Sequence, residues 1–376
     1  MFTKLLLCIV SLPLASCALF SESYESPIPG AERRDDLIQD GEEHFVALFK
    51  LTSGGENAEG YWSFSGDRLS LQRRNPAEGL DCDRIFTTNL KGAPGLTQLS
   101  SGVGVSTCAH FMPGDGEVIF ASTQEMLKDC PPPPDYSKGY VWTLHPEYDL
   151  YVRPVDWIDE LNGIDDEVWP ERRLTDVWGY DAEATVSPLG DRIVFTSTRS
   201  GDVELWTCDL DGQNLVQVTS KLGYDGGAFF SHDGERLVYR CTEFPADPAE
   251  RAKAEADYAA LLKTDRVRPS AMEIHIVDAD GQNDRQLTAL GGANFAPYFF
   301  PDDSRVIFST NFASATGRDF DLYAVGVDGT AVERITTYEG FDCFPMFSLD
   351  GKWLAFASNR GGDVEGETNL FLARWE

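Results

Sequence analysis

Basic residues are scarce in this chain: 31 Lys and Arg stand against 62 Asp and Glu, a net charge of −31 over 376 residues. Nucleic-acid binding draws on clustered Lys and Arg that release counterions from phosphates, so this balance excludes a nucleic-acid partner. It fits a well-solvated surface in a secreted compartment. Long apolar runs are missing too. The run over residues 5–14 is too short to span a bilayer as a helix. No Cys-x-x-Cys occurs among the eight cysteines, which leaves a zinc ribbon or a thioredoxin-type site without support. There is no Gly-x-Ser-x-Gly elbow, no His-Glu-x-x-His and no P-loop. The five histidines, His44, His110, His145, His232 and His275, do not cluster in sequence.

What is present begins with a leader. Lys4 precedes the apolar run, and "LASC" ends it at Cys17. This resembles the lipobox of bacterial lipoproteins, which implies cleavage before Cys17 and a lipid on its sulfur. Ala18 in place of an aspartate points to the outer membrane rather than the inner. Residues 18–43 are polar and turn-rich and read as a flexible tether.

The rest of the chain repeats one phrase six times. It opens at Phe64 ("FSGDRLSLQ"), Met112, Ser187 ("SPLGDRIVFTSTR"), Ser231, Pro301 and Ser348 ("SLDGKWLAFASNR"). Turn formers come first, then a charged residue, then a strand-length run of β-branched and aromatic residues. A second strand follows most copies, often ending in Asp-Gly, and then a short segment ending in Leu-Thr or its like. One more run precedes each turn. That makes four short strands per unit. The aromatic markers Phe120, Phe195, Tyr239, Phe308 and Phe356 are spaced 75, 44, 69 and 48 residues apart. A period in the mid-forties with four strands is a β-propeller blade. The two long gaps are insertions. One, over residues 130–170, is rich in Pro and aromatics; the other contains a helix over 248–262 with Asp247 as its cap.

The sixth unit stops before its fourth strand, and the chain has a spare strand in "HFVALFKLTSGG" from His44. The spacing therefore predicts an all-β, six-bladed propeller over residues 44–376. Its last blade is closed by the N-terminal strand, with Leu51–Thr52 outermost.

The repeat, clearest over residues 181–219 and 341–374, resembles that of TolB-like propellers, the PD40 or WD40-like repeat. The resemblance implies a periplasmic propeller that offers its channel mouth to a protein partner. TolB carries an α/β domain before its propeller and binds the peptidoglycan-associated lipoprotein; the 26 residues of the tether are expected to leave no place for that domain. Oligogalacturonate lyases share the repeat and use inward histidines on a metal. Here only His110 falls on a predicted inner strand, so a non-catalytic scaffold is expected, with a lyase or hydrolase acting on polysaccharide or peptide as the alternative.

Candidate site residues lie on the predicted inner strands. Tyr180–Asp181, Tyr224–Asp225 and Phe341–Asp342 open three of them, and Asn294–Phe295 opens a fourth. Glu59 and Glu183 add carboxylates, and His110 an imidazole. Two readings stand side by side. A ring of carboxylates and aromatics at one mouth would hold a cation such as Ca²⁺ or a loop of an envelope protein. Alternatively, each Asp caps backbone amides near its own strand. No other cofactor is expected, and the chain is expected to be monomeric. The first insertion carries Tyr136, Tyr140, Trp142, Tyr148, Tyr151, Trp157 and Trp169, with Trp178 just beyond, a density suited to protein or glycan contact. Cys130 opens a proline run, and a disulfide to Cys108 is the expected pair, with free buried thiols as the other reading.

Overall fold

The computed structural model describes residues 24–88, 94–132, 136–155 and 171–376. The lipobox with Cys17, and Trp157 and Trp169 of the first insertion, lie outside the described residues.

The strands form six antiparallel blades around a channel. Blade 1 is Glu56–Trp62, Leu69–Asn75, Leu80–Thr88 and Leu96–Gln98. Blade 2 is Ser106–Phe111, Glu117–Ser122, Asp149–Pro154 and Arg172–Arg173. Blade 3 is Asp181–Val186, Ile193–Ser197, Glu204–Cys208 and Val216–Gln217. Blade 4 is Asp225–Phe230, Arg236–Thr242, Met272–Asp278 and Arg285–Gln286. Blade 5 is Asn294–Phe299, Arg305–Thr310, Asp321–Gly326 and Glu333–Arg334. Blade 6 is Asp342–Phe347, Trp353–Ser358 and Asn369–Trp375, completed by Phe45–Lys50.

The repeated phrase folds as a turn into a buried strand. In blade 3 Gly190 takes φ 69° and donates to the Ser187 carbonyl at 2.8 Å. That left-handed position suits glycine. All five marker aromatics are fully buried, each worth about 1.5–3 kcal/mol of apolar burial. The basic residue of the phrase has a use as well. Arg68, Arg192 and Arg236 lie 5.1, 5.3 and 5.6 Å over the rings of Phe111, Phe230 and Phe299, each on the next blade.

The ring closes as the sequence predicts: Phe45–Lys50 pairs antiparallel with Asn369–Trp375, Phe49 opposite Leu372. Two details differ. Leu51 and Thr52 continue beyond this strand, where Thr52 accepts from the Leu370 amide at 2.9 Å. They are not outermost, because Glu32–Arg33 adds a fifth strand outside Phe45–Lys50. The expected tether is thus packed from Tyr24 onward. Ile28 is buried in the main core, and Glu42 is buried against Arg360 with bonds of 2.9 and 3.0 Å. A charged segment is held because its charge meets a buried guanidinium.

The disulfide joins Cys82 to Cys130, Cα atoms 5.6 Å apart, and not Cys108 to Cys130. It ties the first insertion to the third strand of blade 1. Cys108 is a free thiol on the inner strand of blade 2. The first insertion is also two segments rather than one, because Asp149–Pro154 within it is the third strand of blade 2. The helix Pro248–Leu262 is as expected, with Asp247 accepting from the Ala249 and Glu250 amides. Its Tyr258 packs on Phe244 and donates to Asp202 of blade 3 at 2.5 Å. The two insertions meet: Trp142–Thr143 pairs with Arg266–Val267 as a separate two-stranded ribbon.

Candidate binding site at the channel mouth

Every inner strand slips register once against its neighbour. At each slip the backbone is left-handed: Glu59 (φ 53°), Cys108 (52°), Glu183 (58°), Gly227 (59°), Ala296 (50°) and Phe344 (57°). Five of the six are not glycine, and that conformation costs such residues about 1–2 kcal/mol each. The ring around them holds it in place. A bulge re-aims its side chain, and here all six residues line a small central cavity with Tyr61, Thr185, Phe229 and Arg240. Two residues further along, Tyr61, His110, Phe229 and Tyr298 pack ring against ring at 5.2–6.3 Å and plug the channel.

The cavity is one-sided. Blades 1 to 3 contribute Glu59, Cys108 and Glu183, whereas blades 5 and 6 contribute Ala296 and Phe344. Glu183 accepts from Tyr224 Oη at 2.8 Å, Thr196 Oγ1 at 2.7 Å and the Gly227 amide at 2.9 Å, and pairs with Arg240. Burial works to raise this carboxyl, but Arg240 and the hydroxyls together hold it below its ordinary range. Arg240 is stacked between two rings, 4.6 Å from Tyr224 and 5.1 Å from Trp142 of the insertion. Glu59 has no such partner. Its Oε2 is shut from solvent without a hydrogen bond, and burial, opposed by Cys108 and reinforced by Glu183, raises it to about 7. Burial also pushes the Cys108 thiol far up, and lowers His110 to about 4, so the imidazole is neutral and donates from Nδ1 to the Phe111 carbonyl at 3.0 Å.

The aspartates that open the inner strands form no ring in the channel. Asp181 is buried and accepts from Ser197 at 2.5 Å and Arg199 at 2.7 Å. Asp342 is buried and accepts from Arg360 at 2.7 Å. Asn294 donates to the Met272 carbonyl at 2.7 Å and to Glu273 at 3.1 Å. Asp225 is equally buried, but it has no arginine; the Cys241 thiol and the Thr219 hydroxyl stand against its carboxylate. Tyr180 packs edge-on against Tyr148. The carboxylates that do face the channel are Glu59 and Glu183.

Above the cavity a vestibule of about 820 Å³ opens, lined by Tyr136, Tyr140 and Trp142 from one insertion and Arg268, Pro269 and Ser270 from the other. Phe295, Phe320, Phe341 and Phe344 form its floor, with Phe295 5.2 Å from Phe320 and 5.8 Å from Phe344. Tyr136 and Tyr140 are exposed and stack at 5.3 Å. Arg268 and Arg318 stand at the wall, both exposed. Of the residues proposed from sequence, Phe295 and Phe341 therefore join the insertion aromatics around one vestibule. Sequence reading missed Phe320, Phe344 and the two arginines. The signal for Phe320 and Phe344 was the run of aromatics around the fifth and sixth inner strands.

No family model matches the chain. Over 174 residues it is 32% identical to the Protein TolB homolog of Chlorobium chlorochromatii, covering 46% of this chain and 32% of the relative. To the Protein TolB homolog of Chlorobium luteolum it is 29% identical over 181 residues, covering 48% and 34%. The matched part thus spans about a third of those relatives. Among solved structures, one assigned to TolB of Agrobacterium tumefaciens superposes with TM-score 0.53 at 14% identity, covering 88% of this chain and 97% of that one. TolB from Acinetobacter baumannii gives 0.52 at 16%, covering 82% and 64%. The fold is a six-bladed propeller of the TolB-like kind, and the repeat-based resemblance stands. Among the described residues no helix is long and apolar enough to cross a membrane.

Proposed function

We propose that this chain is a lipid-anchored, non-catalytic propeller of the bacterial envelope, held on the periplasmic side of the outer membrane through Cys17, that binds an envelope protein through the vestibule. One observation carries the reading: an aromatic-lined cavity of about 820 Å³ at the mouth, with the exposed guanidiniums of Arg268 and Arg318 at its wall. Aromatic anchors around a desolvated pocket are what protein interfaces use most effectively. On a chain of net charge −31, two arginines at the rim select an acidic segment with apolar side chains. The TolB homologs support a role in the envelope. A lyase with a histidine-held metal in the channel would call for several inward histidines, and of the five histidines His110 is the one that lines these cavities.

The test compares purified wild type with Trp142→Ala, Phe341→Ala and Arg318→Glu for binding to a partner recovered from crosslinked envelopes. Leu349→Glu is the control: this exposed residue lies on the far side of the aromatic plug, in the opposite mouth lined by Trp62, Phe230 and Met346. Each vestibule change is expected to weaken binding about tenfold or more, as truncation of an interface anchor does, and the control is expected to leave it unchanged. Binding that survives all three vestibule changes contradicts the reading.

A further inference from the structure

Blade 4 departs from blades 3 and 6 at three positions that meet in space. In blades 3 and 6 the aspartate opening the inner strand pairs in register with a serine, Asp181 with Ser197 and Asp342 with Ser358. Two residues after the serine comes an arginine, Arg199 or Arg360, bound to that aspartate at 2.7 Å. Two residues before the serine, the register brings an aromatic ring from the third strand alongside, Trp206 or Phe371. In blade 4 the same register sets Asp225 opposite Cys241, puts Glu243 in the arginine position and puts His275 in the ring position. Serine is replaced by a thiol, arginine by a carboxylate and the ring by an imidazole.

The substitutions leave a buried site short of positive charge. Asp225 is fully buried against the Cys241 thiol, and among the described residues no basic side chain forms an ion pair with it. A buried carboxylate needs a cation or a full set of hydrogen bonds. Blades 3 and 6 provide a guanidinium, whereas blade 4 provides a second carboxylate. Ligand atoms of Cys241, Glu243 and His275 all lie within 4.8 Å of one another. His275 Nε2 is 2.8 Å from Glu243, and its Nδ1 is 3.2 Å from Asp284.

We propose that Cys241, Glu243 and His275, with Asp225 at the thiol, form a site for a zinc-like divalent transition metal between the second and third strands of blade 4. A thiolate, an imidazole and carboxylates are the donor set of zinc and its neighbours, not of calcium or magnesium, which take oxygen ligands. Asp284 on Nδ1 sets the ring so that Nε2 faces the cluster, the carboxylate–histidine arrangement that orients metal-binding imidazoles. Glu243, with 38% of its side chain exposed, gives an entry path, while Cys241 and His275 are buried. Binding displaces the proton of Cys241 Sγ and the proton of His275 Nε2 to solvent.

The experiment titrates the chelator-treated full chain with Zn²⁺ by calorimetry and with Co²⁺ by absorption. One Zn²⁺ per chain is expected, with a raised thermal midpoint and a thiolate-to-cobalt charge-transfer band. Cys241→Ser is expected to abolish the band, and Asp284→Asn to weaken Zn²⁺ binding about 10–100-fold. If Cys241→Ser does not fold, Glu243→Gln carries the test through its partly exposed position, with weakened binding again expected. A folded wild type that shows neither heat nor band overturns the proposal. So does a band that survives Cys241→Ser, because the metal then sits on another thiol.

Discussion

Asp181 and Glu183 lie two residues apart on one inner strand and behave in opposite ways. Asp181 is tied to Ser197 and Arg199 within its own blade. Glu183 faces the channel cavity with Arg240. Blade 6 repeats the first arrangement with Asp342 and Arg360, and blade 1 repeats the second with Glu59. The left-handed residue at the bulge is what divides them. It turns one side chain inward and leaves the strand opening bonded within its own blade. A carboxylate on an inner strand is therefore structural or exposed to the channel according to its place relative to the bulge, not according to its type.

The comparison breaks most visibly at the arginines. Arg360 is fully buried and serves both Asp342 and Glu42. Arg360→Ala leaves two buried carboxylates without their cation, and a loss of about 3–5 kcal/mol is expected by chemical denaturation. Arg199→Ala is expected to cost less, because its side chain is 10% exposed and serves one carboxylate. Equal losses would show that the N-terminal segment held by Glu42 adds nothing to the closure of blade 6.

Acid–base behaviour sharpens the same contrast among the channel carboxylates. Glu59 is raised to about 7 from an ordinary 4.5, so the folded state binds its proton more tightly than the unfolded chain. Its contribution is fully present below the unfolded value and is lost as pH rises through about 7. Glu59→Gln is expected to flatten the stability profile across that window, by up to about 3 kcal/mol. Glu183 is lowered, so its stabilisation is present above the unfolded value and is lost as pH falls through the lower folded one. Glu183→Gln should lose stability at neutral pH, where Glu59→Gln gains it. A gain from Glu183→Gln at neutral pH would refute the assignment of Arg240 to Glu183, and a loss from Glu59→Gln would refute the unpaired state of Glu59.

Much of the fold was legible because it rests on local chemistry. Gly190 and its counterparts announce turns, Phe195 and its counterparts announce buried strands, and Asp247 announces a helix. The closing strand at Phe45 was legible because the sixth unit lacked one. The bulge was not, since Glu59, Cys108, Ala296 and Phe344 share no side-chain property; backbone geometry alone makes them equivalent. The roles of Asp181 and Asp342 were half visible: Arg199 and Arg360 stand in the quoted repeat, but only the register shows that they reach back to the strand opening. The vestibule draws on blades 2, 4, 5 and 6, and nothing in the spacing of Tyr140, Arg268 and Phe341 says that they share a wall. The partner of Cys130 was equally hidden, because connectivity does not follow from cysteine spacing.

The central claim is that binding occurs at the vestibule and not at the opposite mouth. It is tested most directly by placing a photo-crosslinking residue at Tyr140 or at Leu349 and irradiating intact cells. The account predicts one discrete protein adduct from the Tyr140 position, lost when Arg318→Glu is added, and none from Leu349. An adduct from Leu349 with none from Tyr140 would contradict it.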